Sequence, residues 1–202
     1  MKDHLLVSFC KAGLRILFRA VFRIEYHGLD NIPEMGAALI VPNHQSYLDP
    51  LLVGAAVPRS VRYMTMKQLF RWPLLASFLR FYGAFPVATR SADKAAIKST
   101  LKFLKAGELV IIFPEGGRTR DGKMMPFFQG FARIALLRNV SIVPVTVTGA
   151  HRVWPPARRF PIPHKVRVTF HPQIHPSDFQ IEDGARPARI VERVKKIIRS
   201  AL

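Results

Sequence analysis

This sequence predicts a single α/β domain, a mostly parallel mixed sheet flanked by helices, with an N-terminal amphipathic basic helix added to it. Short apolar runs of strand length alternate with stretches of helical period from residue 37 to residue 148, which is the rhythm of βαβ units. Two of the runs, 37–41 and 109–113, are apolar at every position, as strands covered by helices on both faces are. A chain of 202 residues also suffices for one substantial core, since domains run about 50 to 250 residues.

The first element, residues 1–24, predicts a helix. Lys11, Arg15, Arg19 and Arg23 recur every four residues while Leu6, Phe9, Gly13, Leu17, Ala20 and Phe22 occupy the rest, giving a basic stripe beside a broad apolar surface. That is the form of a helix lying in a membrane interface with its cations at anionic headgroups; packing on the core is the competing use. A strand over 22–27 and a turn-rich 28–36 follow. The alternation then runs strand 37–42, helix 47–57, strand 61–66, helix 67–81, an extended piece at 83–88, helix 93–105, strand 109–113, helix 129–138 and strand 142–148. The aromatic and basic run from Phe70 to Tyr82 reads as core packing for most of its length, with contact to a membrane or an acyl chain as the alternative.

Beyond Gly149, four prolines at 155, 156, 161 and 163 make an irregular surface loop before a last strand at 166–170. In 187–202, Ile190, Val191, Val194, Ile197 and Ile198 share one face and Arg189, Arg193, Lys196 and Arg199 lie elsewhere, so a basic amphipathic helix docks on the core. The organisation is thus a membrane-associating helix, 1–24, and an α/β body, 25–202.

Thirty-one Lys and Arg stand against 13 Asp and Glu, a formal charge of +18, which implies an anionic partner: nucleic acid, a membrane surface or a phosphorylated substrate. The lone Cys10 excludes an intramolecular disulfide and a cysteine-rich zinc module, and fits a reducing compartment. Lys11, Arg15, Arg19 and Arg23 interrupt the most hydrophobic N-terminal stretch, leaving it short of the ~18 apolar residues of a spanning helix. No cleavage pattern follows Leu5 to Cys10, so the N-terminus is expected to stay on. His171 and His175 have helical spacing, but Pro172 and Pro176 forbid a continuous helix there, and no metal is expected.

Two loops carry chemistry. Asn43-His44-Gln45-Ser46-Tyr47-Leu48-Asp49-Pro50 follows the first apolar run and Phe113-Pro114-Glu115-Gly116-Gly117-Arg118-Thr119-Arg120 the second. Both therefore emerge at one edge of a parallel sheet, where open α/β folds bind ligands. In the first, Ser46 and Asp49 have the form of a capping box. Asp49 can equally fix the tautomer of His44 and stabilise its imidazolium while the other ring nitrogen takes a proton from a hydroxyl. No Gly-x-Ser-x-Gly elbow and no serine in the second loop offers a nucleophile, so the hydroxyl belongs to a substrate. In the second loop Gly116 and Gly117 permit close backbone approach and Arg118 and Arg120 supply guanidinium forks for phosphate. Glu115 would repel a phosphate unless it pairs with an arginine or accepts a substrate hydroxyl, and takes an orienting role.

His44-x4-Asp49 with Phe113-Pro114-Glu115-Gly116-Gly117-Arg118-Thr119 resembles the glycerolipid acyltransferase family that includes the 1-acylglycerol-3-phosphate acyltransferases. Gly83-Ala84-Phe85-Pro86-Val87 with Thr89-Arg90, and Ile142-Val143-Pro144-Val145, resemble two further blocks of that family, in the expected order. The resemblance implies that His44 and Asp49 are the catalytic dyad and that Glu115, Gly116, Gly117 and Arg118 help hold a phosphorylated glycerol backbone. Arg90 matches a substrate-binding arginine with a one-residue shift, and Phe128 stands where relatives often carry a lysine.

The implied function is transfer of a fatty acyl group from acyl coenzyme A or acyl carrier protein to the free hydroxyl of a lysophosphatidate-like acceptor, without a cofactor and at the cytoplasmic face of an anionic membrane. The same chemistry on glycerol 3-phosphate, a lyso-aminolipid or a lysophospholipid is the alternative within enzymes. A basic lipid-binding or nucleic-acid-binding protein without catalysis is the alternative outside them. It leaves His44 and Asp49 unexplained, and no nucleic-acid partner is expected.

Overall fold

A computed structural model describes residues 2–87, 94–179 and 184–202. Seven strands form one sheet: β1 (Glu25–His27), β2 (Ala38–Pro42), β3 (Val61–Met66), β4 (Ala84–Val87), β5 (Leu109–Ile111), β6 (Ser141–Thr148) and β7 (Arg167–Phe170). Their order is β1-β7-β6-β2-β5-β3-β4. Every pairing is parallel except β6 with β7, which is the mixed, mostly parallel sheet predicted from the alternation. β2 lies between β5 and β6, with Ile40 opposite Ile111 on one side and Val143 on the other, and all five of its residues are buried.

Because successive strand residues point to opposite faces, the core divides into two. Ala38 and Ile40 join Leu52, Val53, Leu79, Phe18 and Phe22 on one face, while Leu39 and Val41 join Phe131, Ala135, Ile190 and Ile198 on the other. The first face is covered by α1 (Lys2–Phe22), α2 (Asp49–Ala56) and α3 (Pro73–Phe81). The second is covered by α4 (Lys94–Lys105), α5 (Gly130–Arg138) and α7 (Arg186–Arg199). Each fully buried aliphatic side chain on these faces stabilises the fold by about 1.5–3 kcal/mol. A short α6 (Ala150–Val153) follows β6 directly and is too brief to leave a periodic signal in the sequence.

The predicted helix over 67–81 is two pieces, a 3₁₀ helix Lys67–Arg71 and α3, separated at Trp72, whose ψ is 112°. Proline disfavours the α conformation in the residue before it, so Pro73 restarts the helix as its first residue. Gly83, at φ +93°, turns the chain from α3 into β4, and a Cβ there would lie 2.2 Å from the Val61 carbonyl oxygen, a conformation and a space that only glycine meets. The predicted extended piece at 83–88 and helix at 93–105 correspond to β4 and α4, their ends at 88 and 93 lying outside the described residues.

The basic stripe predicted for the first helix splits: Arg19 and Arg23 are exposed and Arg15 half-buried, whereas Lys11 turns inward. Lys11 is 3% exposed, and its Nζ donates to the carbonyls of Val57 and Arg59 at 3.1 and 2.7 Å, closing the end of α2. Facing outward instead are Phe9, Ile16 and Leu17, at 78%, 69% and 52% exposure. Phe18 and Phe22 meanwhile belong to the core of the body.

Burial, then the charge of Arg15, pulls the Lys11 amine down to about 8. Between about pH 8 and the ordinary lysine range the unfolded chain therefore holds a proton that the folded chain has released, so unfolding free energy rises with pH across that window. Denaturant titrations at pH 7.5 and 10 are expected to show this rise in the wild type and to lose it in Lys11→Met. An equal rise in both would mean that the amine is not desolvated.

Candidate active site

β2 delivers the first loop. Asn43, fully buried, extends the ladder with its side chain: Nδ2 donates to the Val147 carbonyl at 3.0 Å and Oδ1 accepts from the Val147 N–H at 2.7 Å. The next residue is His44, and its ring meets the Asp49 carboxylate, Nδ1 to Oδ2 2.8 Å. The same oxygen accepts from the backbone N–H groups of Gln45 at 2.5 Å and Ser46 at 2.7 Å. Asp49 is fully buried, and among the described residues its Oδ1 has no hydrogen-bond partner.

Only half of the capping box read from Ser46 and Asp49 forms: the Asp49 carboxylate accepts from the Ser46 N–H, but the Ser46 hydroxyl does not return the bond. Leu48 is the N-cap of α2, and Ser46 Oγ instead accepts from the Leu48 N–H and donates to the carbonyl of Trp154. The oxygen that serves the Ser46 and Gln45 amides is the one that meets the His44 ring, so capping and orienting are done by the same atom.

As a carboxylate, Asp49 can only accept, so Nδ1 of His44 carries the hydrogen and Nε2 carries a lone pair. Among the described residues nothing engages that nitrogen. The ring lies over Phe113 with centroids 4.1 Å apart and planes at 26°, and its side chain is 15% exposed. The imidazole is thus held on one edge by a carboxylate, on one face by a phenyl ring, and open at the edge where a proton would be taken.

The second loop is stitched to the first through the backbone of His44. Its N–H donates to Glu115 Oε1 at 2.7 Å and its carbonyl accepts from the Thr119 N–H at 3.1 Å. Glu115 Oε2 accepts from the Met125 N–H at 2.7 Å. Among the described residues Glu115, 4% exposed, pairs with no arginine: its carboxylate meets the two amides. Burial pushes its carboxyl above the ordinary range, and the N–H groups of Met125 and His44 work against that shift.

The glycines divide. Gly116 sits at φ +65°, with a Cβ position 2.9 Å from the Phe128 ring, whereas Gly117 has an ordinary φ and its first close atom is at 3.9 Å. Arg118 points its guanidinium over the Tyr47 ring, 3.7 Å from the centroid, a cation–π contact that parks the charge beside the first loop. Tyr47 in turn leans on Trp154, centroids 5.2 Å apart, and its N–H donates to the Trp154 carbonyl. Arg120 is exposed. Arg90 and Thr89 lie outside the described residues.

Four contributors left no mark in the sequence as site residues: Asn43, Phe113, Tyr47 and Trp154. Asn43 and Tyr47 lie inside the stretch that carries His44, and Phe113 ends the apolar run before the second loop. Trp154 had no such cue, since 108 residues separate it from Ser46. His171 and His175 are engaged elsewhere, His171 Nε2 with Thr146 Oγ1 and His175 Nδ1 with Ser177.

Residues 23–148 match the family described as "Acyltransferase". A 1-acyl-sn-glycerol-3-phosphate acyltransferase of Bacillus subtilis is 30% identical over 143 residues, covering 70% of this chain and 71% of that protein. A chloroplastic 1-acyl-sn-glycerol-3-phosphate acyltransferase of Arabidopsis thaliana is 28% identical over 175 residues, covering 85% of this chain. This chain spans about half, 49%, of the Arabidopsis protein's length. The crystal structure of the 1-acyl-sn-glycerophosphate acyltransferase of Thermotoga maritima superposes with a TM-score of 0.72 and 25% identity, covering 88% of this chain and 70% of that one. Since the matched stretch takes in more than half of the sequence, and with it both loops at the sheet edge, the chain belongs to the acyltransferase family of the 1-acyl-sn-glycerol-3-phosphate acyltransferases.

Proposed function

We propose that the chain transfers a fatty acyl group from a thioester, acyl coenzyme A or acyl carrier protein, to the free hydroxyl of 1-acylglycerol 3-phosphate. The observation that carries this reading is the contact of His44 Nδ1 with the buried Asp49 carboxylate, 2.8 Å, which leaves Nε2 as a base at the sheet edge. Nε2 takes the hydroxyl proton as the acceptor oxygen attacks the thioester carbonyl carbon. The tetrahedral adduct collapses with cleavage of the carbon–sulfur bond, and the imidazolium returns its proton to the departing thiolate. Asp49 stabilises the imidazolium while it lasts. No side-chain hydroxyl or thiol takes the acyl group, so no acyl-enzyme forms.

Arg118 is the cation for the acceptor phosphate. It is partly exposed and its Tyr47 contact leaves the guanidinium edge free for a bidentate pair. Glu115 acts at one remove, holding the His44 backbone. A cavity of about 500 Å3 beside the loops, lined in part by Gln45, Lys123, Thr148 and Arg199, offers two cations to the phosphate-bearing end of the donor. Among the described residues no helix is long and apolar enough to cross a membrane, and the outward Phe9, Ile16 and Leu17 of α1 suit docking on one leaflet.

Thiol release from palmitoyl coenzyme A, with and without lysophosphatidate, tests the reading; a thioester inert with every lyso-acceptor would end it. His44→Ala is expected to lower kcat by about 10² to 10⁴ with vesicle binding unchanged, and equal turnover would remove His44 from the mechanism. Arg118→Ala is expected to raise KM for the phosphorylated acceptor and to leave a phosphate-free analogue unaffected; an unchanged KM refutes the clamp. Glu115→Gln is expected to lower kcat with little change in KM for the acceptor. A rise in KM alone would instead make Glu115 a substrate contact.

A further inference from the structure

α3 follows the C-terminal end of β3 after the single 3₁₀ helix Lys67–Arg71, and β3 is the neighbour of β5 and parallel to it. The first turn of α3 therefore stands at the same sheet edge as His44 and the 113–120 loop. That turn is apolar and uncovered: Leu74 is 90% and Trp72 70% exposed, and Phe78 and Phe81 continue the exposure along the helix. Core packing, the reading the sequence favoured for this run, holds for Ala76, Leu79 and Tyr82 and in part for Phe70, which packs against the same core, and fails for Trp72, Leu74, Leu75, Phe78 and Phe81.

The surroundings of the tip identify its cover. Lys67, Arg71 and Arg80 are exposed around it, and between Asp49 and Asp93 the chain has no acidic residue at all. A tryptophan at the boundary, a leucine beyond it and cations behind is the order of an element inserted at a lipid interface. At the far end of α3, Val7 and Lys11 of α1 line one cavity with Phe81 and with Val61 at the start of β3, so α1 and α3 cover the same face of the sheet.

We propose that the first turn of α3 inserts into the apolar layer of an anionic bilayer, with Lys67, Arg71 and Arg80 at the lipid phosphates. The edge that bears His44 is thereby brought against the membrane surface, where an acyl-bearing acceptor lies. The assignment rests on the reading of the site as acting on a lipid, but its readout needs no turnover.

The chain has two tryptophans, so Trp154→Phe leaves Trp72 alone as the reporter. Vesicles of phosphatidylglycerol and phosphatidylcholine with brominated acyl chains are expected to quench Trp72 emission, and in the wild-type background Trp72→Phe is expected to abolish that quenching component. Replacing Trp72 and Leu74 together by serine should weaken partition onto the same vesicles by about tenfold or more. Cosedimentation without quenching would overturn the proposal by leaving α1 as the docking element. A blue shift that grows with protein concentration in the absence of vesicles would overturn it too, by assigning the tip to a second copy of the chain. Thiol release by the wild-type chain, measured in parallel, separates the two readings: quenching without turnover sinks the acyltransferase and leaves the surface standing, and turnover without quenching does the reverse.

Discussion

One oxygen of Asp49 organises the site. It accepts from the His44 ring and from two successive backbone amides, so the carboxylate fixes the loop and the imidazole at once, and neither can move without uncovering the other. Its second oxygen, buried and without a partner among the described residues, is a standing cost of about 1–3 kcal/mol. A fold built for stability alone would fill that place with an apolar side chain or a donor. Retaining an isolated acceptor there fits the orienting role proposed for the Asp49 carboxylate beside the His44 ring.

The second loop serves the first through the main chain. Glu115 and Thr119 grip the N–H and the carbonyl of the same residue, His44, while Asp49 and Phe113 hold its ring. The main chain of His44 is thus fixed at both its polar groups, and its ring at one edge and one face. Such over-determination suits the role of general base proposed for His44, whose angle to a substrate must lie within the small tolerance that proton transfer allows.

Around the site the sheet separates two environments. The face under α4, α5 and α7 is closed by a helix whose apolar side is fully buried, as Ile190, Val194 and Ile198 show. The opposite face is closed by α1 and α3, and both of these turn apolar side chains outward. Burying Lys11 to close α2 is part of that inversion, because it turns the helix so that Phe9 and Ile16 point away from the body.

The period of the apolar residues, the two loops that interrupt it and the pair His44 and Asp49 were all legible in the bare sequence, because each depends on neighbours within a few positions. Helix and strand follow from local periodicity, and a carboxylate five residues from a histidine can reach it whatever the rest of the chain does. The destination of Glu115, the orientation of α1 and the exposure of Trp72 and Leu74 were not legible. Each is settled by partners far away in the chain: Glu115 by the His44 amide 71 positions off, Lys11 by carbonyls 46 and 48 positions off, and α3 by how much of it the neighbouring strands can cover. Sequence pattern states which groups must be satisfied or buried; the packed sheet alone chooses with what, since that choice is a competition among contacts that meet only once the chain has closed on itself.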